Sequence, residues 1–292
     1  MFNKPYAPIE QVNLPEFSNA GINVFIKRED LAHPFVSGNK MRKLKYYFQD
    51  AAANGKNTIV TFGGAYSNHL LATAAACAKM GFISYGFVRG EPVKNYMLSL
   101  CKIFGMHLFF VERNTYKTDK INFAKSKIHD IENCYFIDEG GQGELGEKGV
   151  AEIIEDLSQN YNHIFCSVGT GSTMLGLLQR VEKNNYQTKI HGVPVLKGYD
   201  DKELLKTFDK SLYEWHDGFH FGGYAKIDKQ LTQFVSYFAT NTGILLDYVY
   251  EGKMFYALTS LAKQGYFKNG ESVLALHNGG LIGMLDMMKA SY

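Results

Sequence analysis

The sequence predicts an α/β protein of two lobes, each a mostly parallel sheet flanked by helices. Short apolar runs alternate with longer stretches of helical periodicity, the pattern of strand–helix units. The alternation falls into two successive sets, with no internal repeat or proline-rich linker to mark another boundary. At 292 residues the chain is also too long for one minimal core. One lobe is expected over residues 43–157 and the other over 1–42 plus 158–292.

In chain order, strands are expected at 23–27, 58–62, 83–88, 107–111 and 134–137. Helices are expected at 39–53, 67–80, where Gly81 supplies the stop, and 144–159. A second set begins with a strand at 163–168, a glycine turn and a helix from Ser172. Later strands are expected at 189–195, 244–246 and 272–276.

Composition narrows the function. Hydrophobic residues at 46%, charged residues at 21% and a net charge of +2 exclude an acidic tail or a basic nucleic-acid binder. Cys77, Cys101, Cys134 and Cys166 form no CxxC pair and lie in apolar patterns, so buried free thiols are expected. No apolar run is long enough for a membrane span, and the N-terminus lacks a signal-peptide pattern, so a cytoplasmic protein is expected.

Three stretches carry chemistry. In the first, the turn Ser37-Gly38-Asn39 opens a helix, placing Lys40 in its first turn and Lys43 on the same face. A lysine there opposes the helix dipole, which favours the neutral amine that Schiff-base chemistry needs. Two surface lysines on an amphipathic helix explain this segment equally well. In the second, Gly63-Gly64 ends a strand and Ser67-Asn68 begins a helix. Backbone NH groups there point at whatever lies above the strand end, although Ser67 or Asn68 also suits a plain N-cap. In the third, Gly169-Thr170-Gly171-Ser172-Thr173 joins a strand to a helix with the glycines and hydroxyls of a phosphate cradle. It lacks the Gly-Lys-Ser/Thr ending of a nucleotide P-loop. A GxGxxG match at 141–146 has no acidic residue about 20 positions on, which argues against a dinucleotide.

Together these stretches resemble the 1-aminocyclopropane-1-carboxylate (ACC) deaminase and D-cysteine desulfhydrase family, in the tryptophan-synthase β-like group of pyridoxal-phosphate enzymes. The matching segments are KREDL (27–31), SGNKMRKL (37–44), GGAYSNH (63–69), GTGSTMLG (169–176), GILLDYVYEGK (243–253) and HNGG (277–280), in family order across nearly the whole chain.

The resemblance implies a cofactor, pyridoxal 5′-phosphate, a small amino-acid substrate and a homodimer; cysteine spacing, charge and the lack of a long apolar run lead us to expect no metal, nucleic acid or membrane. It implies that Lys40 bonds the cofactor and moves protons, while Lys43, Thr170, Gly171, Ser172 and Thr173 hold its phosphate. Asn68 would meet the ring hydroxyl, Ser67 the substrate, Tyr224 and Tyr250 the substrate side, and Glu251 the pyridine nitrogen, with Asn278 beside the cofactor. The chain departs from both branches of the family. ACC deaminases tend to pair Glu in the YEGK segment with Leu in the final H-x-G-G, and D-cysteine desulfhydrases pair Ser or Thr with Thr, whereas this chain pairs Glu251 with Asn278. Tyr248 stands where Pro is usual, Ala7 where Thr is usual, and the section 197–218 reads as shortened. The expected activity is D-cysteine-type α,β-elimination to a 2-oxo acid, ammonia and sulfide. ACC ring opening is the alternative, and a cofactor-binding protein without turnover is the rival of another class.

Overall fold

A computed structural model describes residues 5–288. Among these residues ten strands form two sheets: β1 (Ile9–Val12), β2 (Asn23–Arg28), β3 (Thr58–Gly64), β4 (Ile83–Arg89), β5 (His107–Val111), β6 (Cys134–Ile137), β7 (His163–Val168), β8 (Lys189–Pro194), β9 (Tyr213–Trp215) and β10 (Ser272–His277). One sheet has the order β5-β4-β3-β6 and the other β1-β2-β10-β7-β8-β9. Every pairing is parallel except β1 with β2 at the edge of the larger sheet. The fold is therefore α/β with parallel sheets, as the strand–helix alternation predicts.

Among the helices that cover the sheets or carry cavity residues are α1 (Asn39–Ala53), α2 (Asn68–Met80), α3 (Glu144–Glu155), α4 (Ser172–Lys183), α5 (Lys229–Thr242) and α6 (Glu251–Lys263). The larger sheet is apolar on both faces, as parallel sheets must be when helices cover both sides. Val24, Ile26, Phe165, Val193, Val273 and Ala275 pack with Phe234, Phe238, Phe255 and Leu258 of α5 and α6. On the opposite face, Ile164, Cys166, Ile190, Leu274 and Leu276 pack with Ile153, Leu177 and Val181 of α3 and α4. In the smaller sheet β3 is buried throughout, with Ile59 against Leu44, Phe48 and Ala76 of α1 and α2, and Val60 and Phe62 in a separate cluster on the far face. All four cysteines are free and buried. Among the described residues no helix is long and apolar enough to cross a membrane.

Two expectations need correction. Residues 244–246 form no strand: they are an irregular segment whose Ile244 and Leu246 are buried and whose Leu245 is exposed. Alternating burial mimics a strand, but the Leu245 carbonyl bonds the His277 side chain (2.9 Å) instead of a neighbouring strand. The helix expected to reach 159 ends at Glu155, with Asp156 as its C-cap and its carboxylate 2.9 Å from Arg42.

The KREDL segment is largely a structural lock. Glu29 and Arg42 are buried and paired through two bonds of 2.7 and 2.8 Å, tying the end of β2 to α1. Gly38, at φ +63°, lets the chain enter α1 tightly against the segment after β10, since a Cβ there would lie 1.9 Å from the Asn278 carbonyl oxygen. Lys40 follows two residues later.

Candidate active site

In parallel sheets, loops at the carboxyl ends of the strands gather on one side. Both sheets here aim those ends at one cavity of about 290 Å³. Ser67 and Asn68 follow β3, Arg89 ends β4, and Glu139 and Gly140 follow β6. From the larger sheet, Gly169 to Gly171 and Thr173 follow β7, and Asn278 follows β10. Lys40 and Lys43 enter from the start of α1, and Tyr250 and Glu251 from the start of α6. Tyr224 completes the wall. Of the residues to which the resemblance gives a catalytic or cofactor role, only Ser172 stands back from the lining, fully buried behind Lys43.

The two lysines are linked through one carbonyl. Lys40 Nζ donates to Gly140 O at 3.4 Å and Lys43 Nζ to the same oxygen at 3.2 Å. Lys43 also donates to Ser172 Oγ at 2.5 Å. Burial pulls the Lys40 amine down to about 8, against the opposing pull of the Glu251 carboxylate. Burial and the nearby Lys40 charge hold Lys43 well below the usual lysine range. The first NH groups of α4 have no partner within the helix. With Gly171 as its N-cap and Asn39 Nδ2 donating to Thr173 Oγ1 at 2.7 Å, that helix start is an anion cradle backed by Lys43.

Ser67 is also the N-cap of α2, its hydroxyl accepting from Leu70 N at 3.3 Å, so it caps the helix alongside any role at the cavity. Opposite, Glu251 Oε1 accepts from Ser167 Oγ at 3.2 Å and from Asn278 Nδ2 at 3.3 Å. Among the described residues its Oε2 is buried without a hydrogen-bond partner, and so is Asn278 Oδ1. Burial and the neighbouring Asp247 push Glu251 well above the usual carboxylate range. Tyr224 and Tyr250 meet edge to face, 6.0 Å between ring centroids. Burial raises both phenols, Tyr224 to about 12.

Three contributors have no role assigned from the sequence. The first is the 140–142 loop, which overlaps the GxGxxG match: Gly140 and Gln142 line the cavity and the Gly140 carbonyl joins the lysines. Its glycines serve packing, since a Cβ on Gly146 would lie 2.0 Å from the Gly141 carbonyl oxygen. The second is His69, whose Nε2 pairs with Thr61 Oγ1 at 2.8 Å while burial drives it far toward the neutral form. The third is Asp247. Its carboxylate accepts from the backbone NH groups of Val249 (2.7 Å), Tyr250 (3.0 Å) and Glu251 (2.8 Å), and so fixes the entry to α6. An aspartate just ahead of a helical run is a readable capping signal. Replacing Asp247 with Ala should cost about 1–2 kcal/mol, as loss of a helix cap does, measured as a lower denaturant midpoint. An unchanged midpoint would show that water replaces the carboxylate at no cost.

Fold and site together define a pyridoxal-phosphate enzyme: parallel sheets meeting at a half-buried lysine, an anion cradle and a buried carboxyl. The residues fit that cofactor, because a phosphate suits the α4 cradle and the partnerless Oε2 of Glu251 suits a ring nitrogen. Residues 4–279 match the profile of the family described as "Pyridoxal-phosphate dependent enzyme". A Pyrococcus abyssi protein provisionally named 1-aminocyclopropane-1-carboxylate deaminase is 33% identical, over 93% of this chain and 88% of its own. The Arabidopsis thaliana bifunctional D-cysteine desulfhydrase/1-aminocyclopropane-1-carboxylate deaminase is 28% identical, over 96% of this chain and 77% of its own. A crystal structure of an ACC deaminase homologue superposes with a TM-score of 0.82 at 29% identity, covering 95% of this chain and 90% of that one. The chain belongs to the pyridoxal-phosphate-dependent ACC deaminase/D-cysteine desulfhydrase family, and is an amino-acid lyase or deaminase.

Proposed function

We propose that this protein, as a cytoplasmic homodimer, breaks down a small amino acid by D-cysteine-type α,β-elimination, releasing a 2-oxo acid, ammonia and sulfide. The observation that carries this reading is the state of Glu251. Ser167 and Asn278 both donate to its Oε1, which draws Glu251 part of the way back down from the high position that burial and Asp247 impose, so its carboxyl is a weaker base toward a ring nitrogen than it would be beside an apolar residue at 278. Pyridoxal phosphate, when bound, supplies an electron sink beside the substrate amine. A weaker Glu251 leaves that sink shallower. Elimination needs only α-proton loss and a leaving group, so it tolerates this better than ring opening does. The second reading, ACC deamination, is favoured by the presence of Glu at 251 and of a free Oε2.

In this reading Lys40 anchors the cofactor and then takes and returns a proton at Nζ. Lys43 and residues 170–173 bind the phosphate, Lys43 as a charge and the α4 NH groups as donors. Asn68 meets the ring hydroxyl. Ser67 and the start of α2 face the substrate carboxylate, and Tyr224 and Tyr250 close the substrate side against water.

The deciding experiment is a panel of D- and L-amino acids with ACC included, scored for ammonia and 2-oxo acid. Release from D-cysteine with little from ACC is expected. Release from ACC alone would select the second reading, and release from nothing would leave a binding protein. Light scattering should give twice 32.9 kDa, and a single-chain mass at micromolar concentration would remove the dimer.

Cofactor uptake should depend on pH in one direction. Only the neutral amine attacks an aldehyde, so below about 8 the rate at which apoprotein gains the cofactor band should fall about tenfold per pH unit, levelling above it. A flat profile through this range would show that Lys40 does not titrate there.

A further inference from the structure

Tyr224 sits on a turn that should not be stable by itself. Phe221 and Ala225 both have left-handed backbone, φ +52° and +55°, which costs free energy in residues that carry a Cβ. Gly222 and Gly223 between them are also at positive φ, +89° and +119°. Local bonds from Gly223 N to His220 O (3.0 Å) and from Lys226 N to Gly223 O (3.1 Å) close the turn. Such a conformation persists only where its surroundings hold it.

Lys253 is what holds it. It lies in the first turn of α6, two residues after Glu251, and is fully buried. Its Nζ donates to His220 O at 2.8 Å and to Gly223 O at 2.7 Å. Buried charges are costly unless paired and hydrogen-bonded, and here most of the pairing goes to the carbonyls of this one turn. Asp247 and Asp228 favour the charged form from the entries to α6 and α5, against a burial that pulls the amine down to about 8. Phe221 adds an apolar anchor on the same helix, edge to face with Tyr256 at 5.0 Å. The helix that presents Tyr250 and Glu251 therefore also clamps the turn that presents Tyr224.

We propose that Lys253 is a positioning residue that fixes the 220–225 turn, and through it sets Tyr224 against Tyr250 on the substrate side of the cavity. The proposal rests on the reading of Tyr224 as a substrate-facing residue. It adds a cause for that tyrosine's placement and ties the substrate wall to the same helix as the cofactor-side carboxyl.

The test is Lys253→Met, which keeps the apolar stem and removes the donor. In the holoenzyme the cofactor absorption band and borohydride labelling at Lys40 should match the unmodified protein. KM should rise, and kcat/KM should fall about ten- to a hundredfold, the scale of a misplaced positioning group. Hydrogen exchange of the protein without substrate should quicken at the amides of Gly223 and Lys226 while β7 and β10 stay protected. Combined with Tyr224→Phe, the double variant should lose no more than the worse single one, because both act through one side chain. Unchanged kinetics, unchanged exchange, or losses that multiply would each overturn the proposal. If Lys253→Met does not fold, Gly223→Ala perturbs the same turn with the lysine retained, and there an unchanged KM would overturn it. Tyr224→Phe without kinetic effect would instead remove the reading of Tyr224, and exchange, which needs no substrate, would still decide whether Lys253 holds the turn.

Discussion

Lys40→Ala should abolish turnover while leaving a protein that still takes up pyridoxal phosphate weakly. Loss of a general acid–base group alone costs about 10²–10⁴-fold, and this residue would also anchor the cofactor. What remains is the cradle at the start of α4, with Lys43 bonded to Ser172 and Gly140. Removing Lys40 also removes a positive charge that holds Lys43 low, so Lys43 should carry its own charge more fully in the variant. Dialysis should therefore strip cofactor from the variant faster than from the parent, yet inorganic phosphate should still compete with it. In the parent, borohydride should fix the cofactor onto one peptide, the one containing Lys40. Label on Lys43 or any other lysine would refute the assignment, and so would a variant that keeps measurable turnover.

The elements legible in sequence are those whose periodicity is set by two-sided burial. The helix at 39–53 is matched residue for residue, because Leu44, Phe48 and Ala51 mark one apolar face and Gly38 marks its start. The strands at 107–111, 134–137 and 163–168 are matched as well. Short edge elements are not legible: β1 and β9 have few buried residues, and tertiary pairing makes them. The segment 244–246 reads as a strand because its burial alternates, although its polar groups serve His277 instead of a ladder. Glycine patterns are legible only as turns. GxGxxG at 141–146 marks a close approach of α3 to its preceding loop, and nothing local says that the Gly140 carbonyl would join two lysines from α1, about a hundred residues away in the chain. Asn278 is legible as a departure from both family branches, but its bond to Glu251 needs β10 and α6 placed side by side.

That bond makes the pair the sharpest place to ask which reaction the site runs. Glu251→Thr should slow any ACC ring opening far more than elimination from D-cysteine. The interaction lost is a buried charge-assisted hydrogen bond, roughly 1.5–3 kcal/mol, equivalent to about one to two decades in rate if expressed fully in the transition state. The variant also leaves Ser167 and Asn278 without their shared acceptor, so the cofactor absorption band should shift. Asn278→Leu removes one of the two donors to Oε1, which should strengthen Glu251 as a base and move the pocket toward the ACC type. Glu251→Thr with Asn278→Thr should move it toward the D-cysteine type. Because Asn278 Nδ2 lies 3.3 Å from Glu251 Oε1, the two effects should not add, and a double-mutant cycle should show coupling. The measurement is kcat/KM for D-cysteine and for ACC across the parent and these variants, with the spectrum of each. If Glu251→Thr leaves both activities and the spectrum as they were, its carboxyl does not reach the ring nitrogen, and the free Oε2 must serve another group in the cavity.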